Sequence, residues 1–204
     1  FDGTLFDTGE GILRSVQYAL EGFGIHETDT ARLRKFVGPP LFDSFSELYA
    51  MTPEQAQAAV ARYRERYLPV GIYECTLYPG IPELLDTLKE KKIKIAVFSN
   101  KPHANTVDVV ETLFGKGFFD AVQGQKTNVP KKPAPDGVYA IMERLDVSPE
   151  ETIYVGDSWV DIETGRAAGN FAVGVLWGFR DEEELRAHHA DAVITAPGEL
   201  LELL

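Results

Sequence analysis

The chain has 204 residues, and its 20 Lys and Arg against 32 Asp and Glu give a formal net charge of −12. Phosphate backbones repel a chain this acidic, which excludes general nucleic-acid binding. Hydrophobic residues make up 44% of the sequence, enough for a folded core, so an intrinsically disordered protein is excluded as well. No apolar run approaches the ~18 residues of a membrane-spanning helix, and we expect no membrane partner.

Cysteine usage and the first residues indicate the compartment. Cys75 is the one cysteine of the sequence, so neither an intramolecular disulfide nor a CxxC metal site can form. The residues that follow Phe1 do not form the basic and then apolar segments of a signal peptide. We therefore expect a cytoplasmic protein.

Residues 9–69 carry helical signals alone. Apolar residues recur at helical spacing, and Gly24 ends the first of these stretches. Thr52 and Pro53 are typical N-cap and first-turn residues of a helix. The predicted helical segments, in chain order, are 12–23, 33–37, 41–49 and 53–67.

Strands and helices alternate from residue 78 onward. This alternation is typical of a parallel sheet with helices on both faces. The predicted strands are 93–98, 121–122, 152–155, 171–176 and 192–194. The predicted helices are 82–92, 102–114, 135–145, 160–168, 181–188 and 197–204. We therefore predict an α/β domain, residues 1–8 and 78–204, with an all-helical insertion, residues 9–77.

Polar residues that follow the predicted strands are candidates for a functional site, because parallel α/β sheets bind ligands at the carboxyl ends of their strands. Grouped carboxylates repel one another unless a cation lies among them, and oxygen ligands beside a phosphate favour Mg²⁺. Hydroxyls and open N–H groups at a strand-to-helix junction can hold phosphate oxygens. The candidates are Asp2, Gly3, Thr4, Asp7, Ser99, Asn100, Lys101, Lys131, Lys132, Gly156, Asp157, Ser158 and Asp161.

Four segments of the chain together resemble a known family. FDGTLFDT, residues 1–8, resembles the first motif, D-x-D-G-T-L-x-D, of the haloacid dehalogenase-like phosphohydrolases. SNK (99–101), KPAP (132–135) and GDSWVD (156–161) resemble the second, third and fourth motifs. The helical insertion resembles the small cap of the phosphoglycolate phosphatase and β-phosphoglucomutase branch. The resemblance implies a Rossmann-like, doubly wound parallel sheet with an all-helical cap.

The resemblance also implies roles for single residues. Asp2 would protonate the leaving oxygen and then activate water, and its backbone carbonyl would bind Mg²⁺ together with Asp157. Lys132 would be the catalytic counter-charge. Asp161 would hold a metal-bound water or orient Lys132, and Ser158 would support the same groups. The implied phosphate-binding residues are Gly3, Thr4, Ser99, Asn100 and Lys132.

The nucleophile of the family pattern is the first aspartate of D-x-D, and that position immediately precedes Phe1. We expect an aspartate there, in a strand that leads into Phe1, to form an aspartyl-phosphate intermediate. If the native protein begins at Phe1, the expectation is instead a domain that binds phosphate or a partner without turnover.

The resemblance implies Mg²⁺-dependent hydrolysis of a small phosphorylated metabolite. The first candidate is 2-phosphoglycolate, because the 37–41 loop is most similar to that of phosphoglycolate phosphatase-like members. A nucleotidase or pyrophosphatase is a rival. A phosphomutase is disfavoured, because its branch carries a G-x-S-R loop where this chain has Gly-Pro-Pro-Leu. We expect a monomer or homodimer, with substrate specificity set in the cap by Lys35, Gly38, Pro39 and Pro40.

Three residues keep two interpretations each. Ser99 is expected to cap the helix that begins at residue 102 as well as to bind phosphate. Lys131 competes with Lys132 for the role of the catalytic lysine, which we assign to Lys132 because it directly precedes the Pro-Ala-Pro segment. Trp159 either forms a wall of the site or packs against a neighbouring helix.

Overall fold

The computed structural model describes residues 1–37 and 39–204. The chain forms two compact units: a core unit, Phe1–Phe6 and Leu77–Leu204, and a helical unit, Asp7–Thr76. The domain borders drawn from the sequence lie one or two residues later than these. Within the described ranges, no helix is long and apolar enough to span a membrane.

Two helices of the helical unit begin at residues with the side chains that commonly cap helices. Asp29 caps the second helix by accepting N–H hydrogen bonds from Ala31 and Arg32. Thr52 and Gln55 form a reciprocal capping box at the fourth, with Pro53 in the first turn. The elements are α1 (Gly9–Glu21), α2 (Thr30–Arg34), α3 (Leu41–Tyr49), α4 (Pro53–Tyr67) and a 3₁₀ helix (Gly71–Tyr73).

The core of the helical unit is a cluster of aromatic and aliphatic side chains from α1 to α4. Phe36 and Phe45 are fully buried at its centre, and their rings meet edge to face with centroids 4.8 Å apart. Phe42 lies on the same helix as Phe45 but is 38% exposed. The unit therefore has an apolar core of its own.

The core unit alternates strands and helices. Its elements are α5 (Ile81–Glu90), β3 (Ala96–Pro102), α6 (His103–Phe114), β4 (Ala121–Gln125), α7 (Asp136–Leu145), a 3₁₀ helix (Pro149–Glu151), β5 (Ile153–Gly156), α8 (Trp159–Ala167), β6 (Phe171–Val175), α9 (Glu182–Ala187), β7 (Ala192–Ile194) and a 3₁₀ helix (Pro197–Leu203). Two further two-residue strands, β1 (Phe6–Asp7) and β2 (Thr76–Leu77), pair where the chain passes between the units.

The longer strands pair in parallel. β3 pairs with β4, and β5, β6 and β7 form a three-stranded sheet in that order. The registers include Val97 opposite Val122 and Val155 opposite Val173. Parallel pairing aligns the carboxyl ends of the strands within each sheet, and candidate residues lie at the carboxyl ends of β3 and β5.

Several predicted elements differ in the structure. The helix predicted at 33–37 lies earlier, at Thr30–Arg34, and the strand predicted at 121–122 extends over Ala121–Gln125. Residues 197–204 were predicted as a helix and instead form a 3₁₀ helix, Pro197–Leu203. Gly198 in its first turn is a poor α-helix former, which weakens an α-helix at this end of the chain. The strand predicted at 93–98 runs from Ala96 to Pro102: its pairing with β4 is irregular after Phe98 and resumes where Pro102 lies opposite Gln125. Ser99, Asn100 and Lys101 therefore belong to the strand itself.

We predict that Phe45→Ala lowers the free energy of unfolding by ~3–5 kcal/mol, because the truncation leaves a cavity in a fully buried aromatic pair. Phe42→Ala, on the same helix, is the matched control and should cost less than ~1 kcal/mol. Urea denaturation of both variants measures the difference. Equal losses would contradict this description of the core.

Candidate active site

The site is built around the loop that Phe1 to Thr4 form. Gly3 has a φ of +76°, in the left-handed region that glycine adopts most readily. Its N–H donates to the carbonyl of Phe6 at 2.9 Å, and the N–H of Thr4 donates to the carbonyl of Phe1 at 3.3 Å. The backbone N–H groups of Gly3 and Thr4 are thus engaged within the loop, and the phosphate-binding role of these two residues stays a prediction.

Asp157 lies directly beneath this loop. It is 4% exposed, and its Oδ1 accepts a hydrogen bond from the hydroxyl of Thr4 at 3.1 Å. Its Oδ2 accepts the backbone N–H of Phe179 at 3.0 Å. Neither neighbouring glycine could carry a side chain: a Cβ at residue 3 would lie 2.2 Å from Oδ2, and one at residue 178 would lie 2.3 Å from the Cβ of Asp157. The backbone at Gly3 and the backbone at Gly178 therefore pack closely against the side chain of Asp157.

The charge of Asp157 is poorly compensated by the chain. Burial raises its pKa, the nearby carboxylate of Asp161 raises it further, and the hydrogen bonds from Phe179 and Thr4 oppose the rise. A bound cation would offset this cost. Within residues 1–37 and 39–204, no three His, Cys, Asp or Glu side chains gather closely enough to hold a metal ion. The buried carboxylate of Asp157 is the type of ligand that Mg²⁺ takes, since this ion usually binds one or two carboxylates and completes its shell with water and substrate phosphate.

Lys132 is held by the carboxylate of Asp161. The ammonium lies 2.6 Å from Oδ1 of Asp161, and the two side chains are 9% and 10% exposed. The hydroxyl of Ser158 donates to the other oxygen, Oδ2, at 2.7 Å. Asp161 is thus the ion-pair partner of Lys132, and both of the roles expected for it stay predictions. Lys131, the competing lysine, is exposed.

The electrostatics of this pair favour full charge on both groups. Burial alone raises the pKa of Asp161, but Lys132 and Ser158 outweigh it and the pKa falls below its ordinary value. Burial works against the charge of Lys132, yet Asp161 and the hydroxyl of Tyr154 raise its pKa above the ordinary value. Lys132 is therefore a permanent positive charge at this edge.

The second-motif residues Ser99 and Asn100 are held by hydrogen bonds to neighbouring backbone groups. Ser99 is buried, and its Oγ accepts the N–H of Lys101 at 3.1 Å. The expectation that Ser99 also caps the following helix is wrong, because α6 begins at His103 with Pro102 as its N-cap and without a side-chain cap. The side chain of Asn100 accepts the N–H of Lys132 at 2.9 Å and donates to its carbonyl at 3.4 Å. Asn100 thus ties the second motif to the third.

Asp2 is paired with Lys101. The ammonium lies 3.1 Å from Oδ1 of Asp2, and the side chains of Lys101 and Asp2 are 8% and 34% exposed. Asp7, the other acid of the first motif, accepts the N–H of Gly9 at 2.9 Å and so supports the turn before α1. Asp2 is thus the first-motif carboxylate that lies among the site residues of the core unit.

Sequence reasoning missed the segment that follows β6. The indole N–H of Trp177 donates to the carbonyl of Thr4 at 2.9 Å. Gly178 and Phe179 contact Asp157 as described above. The sequence signal was a Trp-Gly pair directly after a predicted strand, at the same edge as the other candidates. The segment after β6 therefore belongs to the site, where it packs against Asp157 and the first-motif loop. Its residues are Trp177, Gly178 and Phe179.

The candidates not yet placed are the specificity residues of the helical unit and Trp159. Lys35, Pro39 and Pro40 are exposed in the helical unit, and Gly38 lies outside the described residues, so their role in specificity stays a prediction. Trp159 is 38% exposed, and its ring lies 5.4 Å from that of His188. Of its two interpretations, packing beside the segment that follows α9 agrees with this contact.

A cavity of about 700 Å³ adjoins the loop within the core unit. Residues of β3 and β5 line it, with apolar side chains of α5 and α7, and Phe1 and Leu5 contribute as well. The lining residues from the two strands include Val97, Phe98, Tyr154 and Val155. The cavity is thus lined by strands of both sheets and by Phe1.

The sequence profile described as haloacid dehalogenase-like hydrolase matches residues 1–175. The chain belongs to this family. A 5′-nucleotidase of Pseudomonas aeruginosa is 35% identical over 98% of this chain and 92% of that protein. A phosphoglycolate phosphatase of Aquifex aeolicus is 31% identical over 100% of this chain and 93% of that protein. The predicted family and the prediction of an enzyme are confirmed.

A solved structure confirms the fold class. The haloacid dehalogenase-like family hydrolase from Streptococcus pneumoniae matches with a TM-score of 0.86 at 29% identity, covering 100% of this chain and 94% of that chain. The α/β core with parallel strands is thus the fold of this haloacid dehalogenase-like hydrolase.

For this hydrolase we predict that Gly178→Ala lowers the free energy of unfolding by ~1–3 kcal/mol, because the new methyl group would strike Asp157 and the carbonyl of Gly3. Gly198→Ala is the matched control, since a Cβ there meets nothing within 4 Å. Thermal unfolding of the two variants checks the prediction. Equal melting temperatures would show that the loops do not pack against Asp157 as described.

We predict that Asp161→Asn costs ~3–5 kcal/mol at pH 7, because it leaves the ammonium of Lys132 buried without its counter-charge. The control is Glu182→Gln, which breaks an exposed ion pair with Arg186 of the same 2.6 Å length and should cost less than ~1 kcal/mol.

The cost of Asp161→Asn should also depend on pH. The pKa of Asp161 is lowered in the folded state, so the stabilisation is present above the unfolded pKa of about 3.9 and disappears as the pH falls through the lower folded value. Urea denaturation at pH 7 and at pH 3 measures both points. A difference between wild type and variant that grows toward low pH would contradict the assignment.

Proposed function

We propose that this haloacid dehalogenase-like hydrolase is a Mg²⁺-dependent phosphatase of small phosphorylated metabolites. The observation that carries the proposal is the arrangement around Asp157: a buried and under-compensated carboxylate lies beneath the Asp2 loop. The fixed ammonium of Lys132 belongs to the same core unit. An acid-base group, an anionic metal ligand and a permanent cation are the groups that phosphoryl transfer requires.

The proposed nucleophile is an aspartate immediately before Phe1. The cavity lined by β3 and β5 supports this position, because an extended segment leading into Phe1 would run between the two strands and be apolar on both faces. Its last side chain would then stand beside Asp2, at the carboxyl edge where Asp157 lies. One of its carboxylate oxygens would attack phosphorus to form an aspartyl-phosphate.

The proposed acid-base group is Asp2. In the first step its carboxylic acid would give a proton to the oxygen that leaves phosphorus, so the alcohol departs neutral. In the second step the resulting carboxylate would take a proton from the water that attacks the aspartyl-phosphate, which regenerates the acid and releases phosphate. Asp2 is one-third exposed, so leaving group and water can both reach it.

Three further groups would hold the phosphoryl group and the metal. Lys132 would pair with a phosphoryl oxygen, with Asp161 keeping its ammonium in place. Ser99, together with the amide of Asn100, would contribute the polar contacts of the second motif. Asp157 and the backbone carbonyl of Asp2 would hold Mg²⁺, which supplies positive charge for the negative charge that develops on the phosphoryl oxygens.

The first candidate substrate is 2-phosphoglycolate, supported by the similarity to the phosphoglycolate phosphatase of Aquifex aeolicus. The similarity to a 5′-nucleotidase favours a nucleoside 5′-monophosphate as the second candidate. Pyrophosphate belongs in the same panel. A phosphomutase is disfavoured by the absence of arginine from residues 38–41. The kcat/KM values of the full-length protein on these substrates would rank them.

We also propose the surroundings in which the enzyme works. A net charge of −12 and the lack of a suitable apolar run support a small-molecule partner instead of nucleic acid or a membrane. A single cysteine supports the cytoplasm. We propose a monomer or a homodimer.

We predict that the full-length protein releases phosphate from 4-nitrophenyl phosphate with Mg²⁺ and loses this activity in excess chelator, because Asp157 needs a cation to present the phosphate. Asp2→Asn should lower kcat by ~10²–10⁴-fold while the protein stays folded, since the amide cannot transfer the proton. A phosphate-release assay and far-UV circular dichroism measure the two effects.

The control is Asp43→Asn, an exposed acid of α3 in the helical unit, which should leave the rate unchanged. Activity that persists in chelator would remove the metal from the proposal. If the protein hydrolyses no phosphate ester, the phosphatase proposal is wrong and a domain that binds phosphate or a partner without turnover is the remaining interpretation.

A further inference from the structure

The core unit holds a second buried lysine that the proposed reaction does not use. Lys101 and Lys132 are 8% and 9% exposed, and each is paired with a carboxylate. Lys132 faces Asp161, which a serine hydroxyl also holds. Lys101 faces Asp2, the group to which the proposed function assigns proton transfer. A buried ammonium beside that group requires its own explanation.

Lys101 bridges two parts of the chain that are far apart in sequence. Its ammonium lies 3.1 Å from Oδ1 of Asp2 and 5.0 Å from the centre of the Phe1 ring. One cation thus contacts two successive residues of the loop, by an ion pair and by a cation–π contact. The side chain of Lys101 therefore connects the end of β3 to the first-motif loop.

The backbone at Lys101 is fixed, so the reach of its side chain is fixed as well. Its N–H donates to Oγ of Ser99 at 3.1 Å, and its carbonyl accepts the hydroxyl of Thr106 at 3.1 Å. A Cβ at Gly124 would lie 2.5 Å from the same carbonyl, so β4 packs tightly against this point. The ammonium is thus presented from a rigid strand end.

Asp2 needs such a support. Its side chain is 34% exposed, and in residues 1–37 and 39–204 Lys101 is the one cation that forms an ion pair with it. An exposed carboxylate samples several rotamers, whereas proton transfer requires one that places an oxygen within hydrogen-bond distance of the leaving group. The ion pair selects one rotamer.

We infer that Lys101 is a positioning residue, which holds the carboxyl group of Asp2 where it meets the leaving oxygen. The inference rests on the proposed function of Asp2. It assigns Lys101 a role distinct from that of Lys132: Lys132 faces the phosphoryl group, and Lys101 sets the geometry of the proton donor.

The test compares two leaving groups. An alkyl phosphate needs proton donation to its leaving oxygen, whereas 4-nitrophenolate leaves with little help. Lys101→Met should therefore lower kcat/KM for an alkyl phosphate by at least ~10-fold more than for 4-nitrophenyl phosphate. The alkyl substrate is 2-phosphoglycolate or, if it is not turned over, the nucleoside 5′-monophosphate. The comparison does not depend on the folded fraction, because loss of folded protein lowers both rates equally.

Two more variants sharpen the test. Lys101→Arg restores a cation and should recover part of the loss on the alkyl phosphate. When Asp2 is already replaced by Asn, adding Lys101→Met should lower kcat/KM for the alkyl phosphate by less than a further ~3-fold. The carboxyl group that Lys101 positions is then absent. Lys116→Met, at an exposed loop lysine, is the matched control and should leave both rates unchanged.

The outcomes separate the two proposals. Equal losses on both esters, or a raised KM with unchanged kcat, would overturn the positioning role and leave the phosphatase intact. No hydrolysis of either ester by the unsubstituted full-length protein would overturn the proposed function, and the role of Lys101 with it.

Discussion

The buried carboxylate of Asp157 is the constraint on which the site depends. Two loops remote in sequence supply its hydrogen bonds, one from the hydroxyl of Thr4 and one from the N–H of Phe179. Both approach so closely that Gly3 and Gly178 leave no room for a Cβ. A carboxylate that is 4% exposed costs free energy unless it is compensated. The same contacts thus fix the first-motif loop and create a demand for positive charge.

The whole chain and the site are both formally acidic, but the site holds two cations at fixed positions. The chain carries a net charge of −12, which would repel an anionic substrate. At the carboxyl edge of the core unit, however, two buried ammonium groups stand beside the acids, each with a carboxylate partner. Local charges in a partly buried site act over short distances and are weakly screened. The site therefore presents positive charge locally, although its three acids outnumber its two ammonium groups.

Much of the site could be predicted because its chemistry lies in short contiguous motifs. Asp157 and Asp161 follow the strand predicted at 152–155, whereas Asp2 and Lys132 were recognised from their motifs. The pairing of Lys101 with Asp2 could not be predicted, because 99 residues separate them. Trp177 was missed for the same reason, since its indole reaches the carbonyl of Thr4 across 173 residues. Ser99 was wrongly expected to cap α6, because the extent of β3 depends on its pairing with β4.

The sequence by itself determined the α/β class, the helical insertion and the family, because hydrophobic periodicity and ordered motifs are local properties of the chain. The tertiary structure alone decided which lysine pairs with which carboxylate and that backbone packs closely against Asp157 at Gly3 and at Gly178. Those contacts join residues from different strands and loops. Their distances are set by the packing of the parallel sheets, which no local pattern of residues encodes.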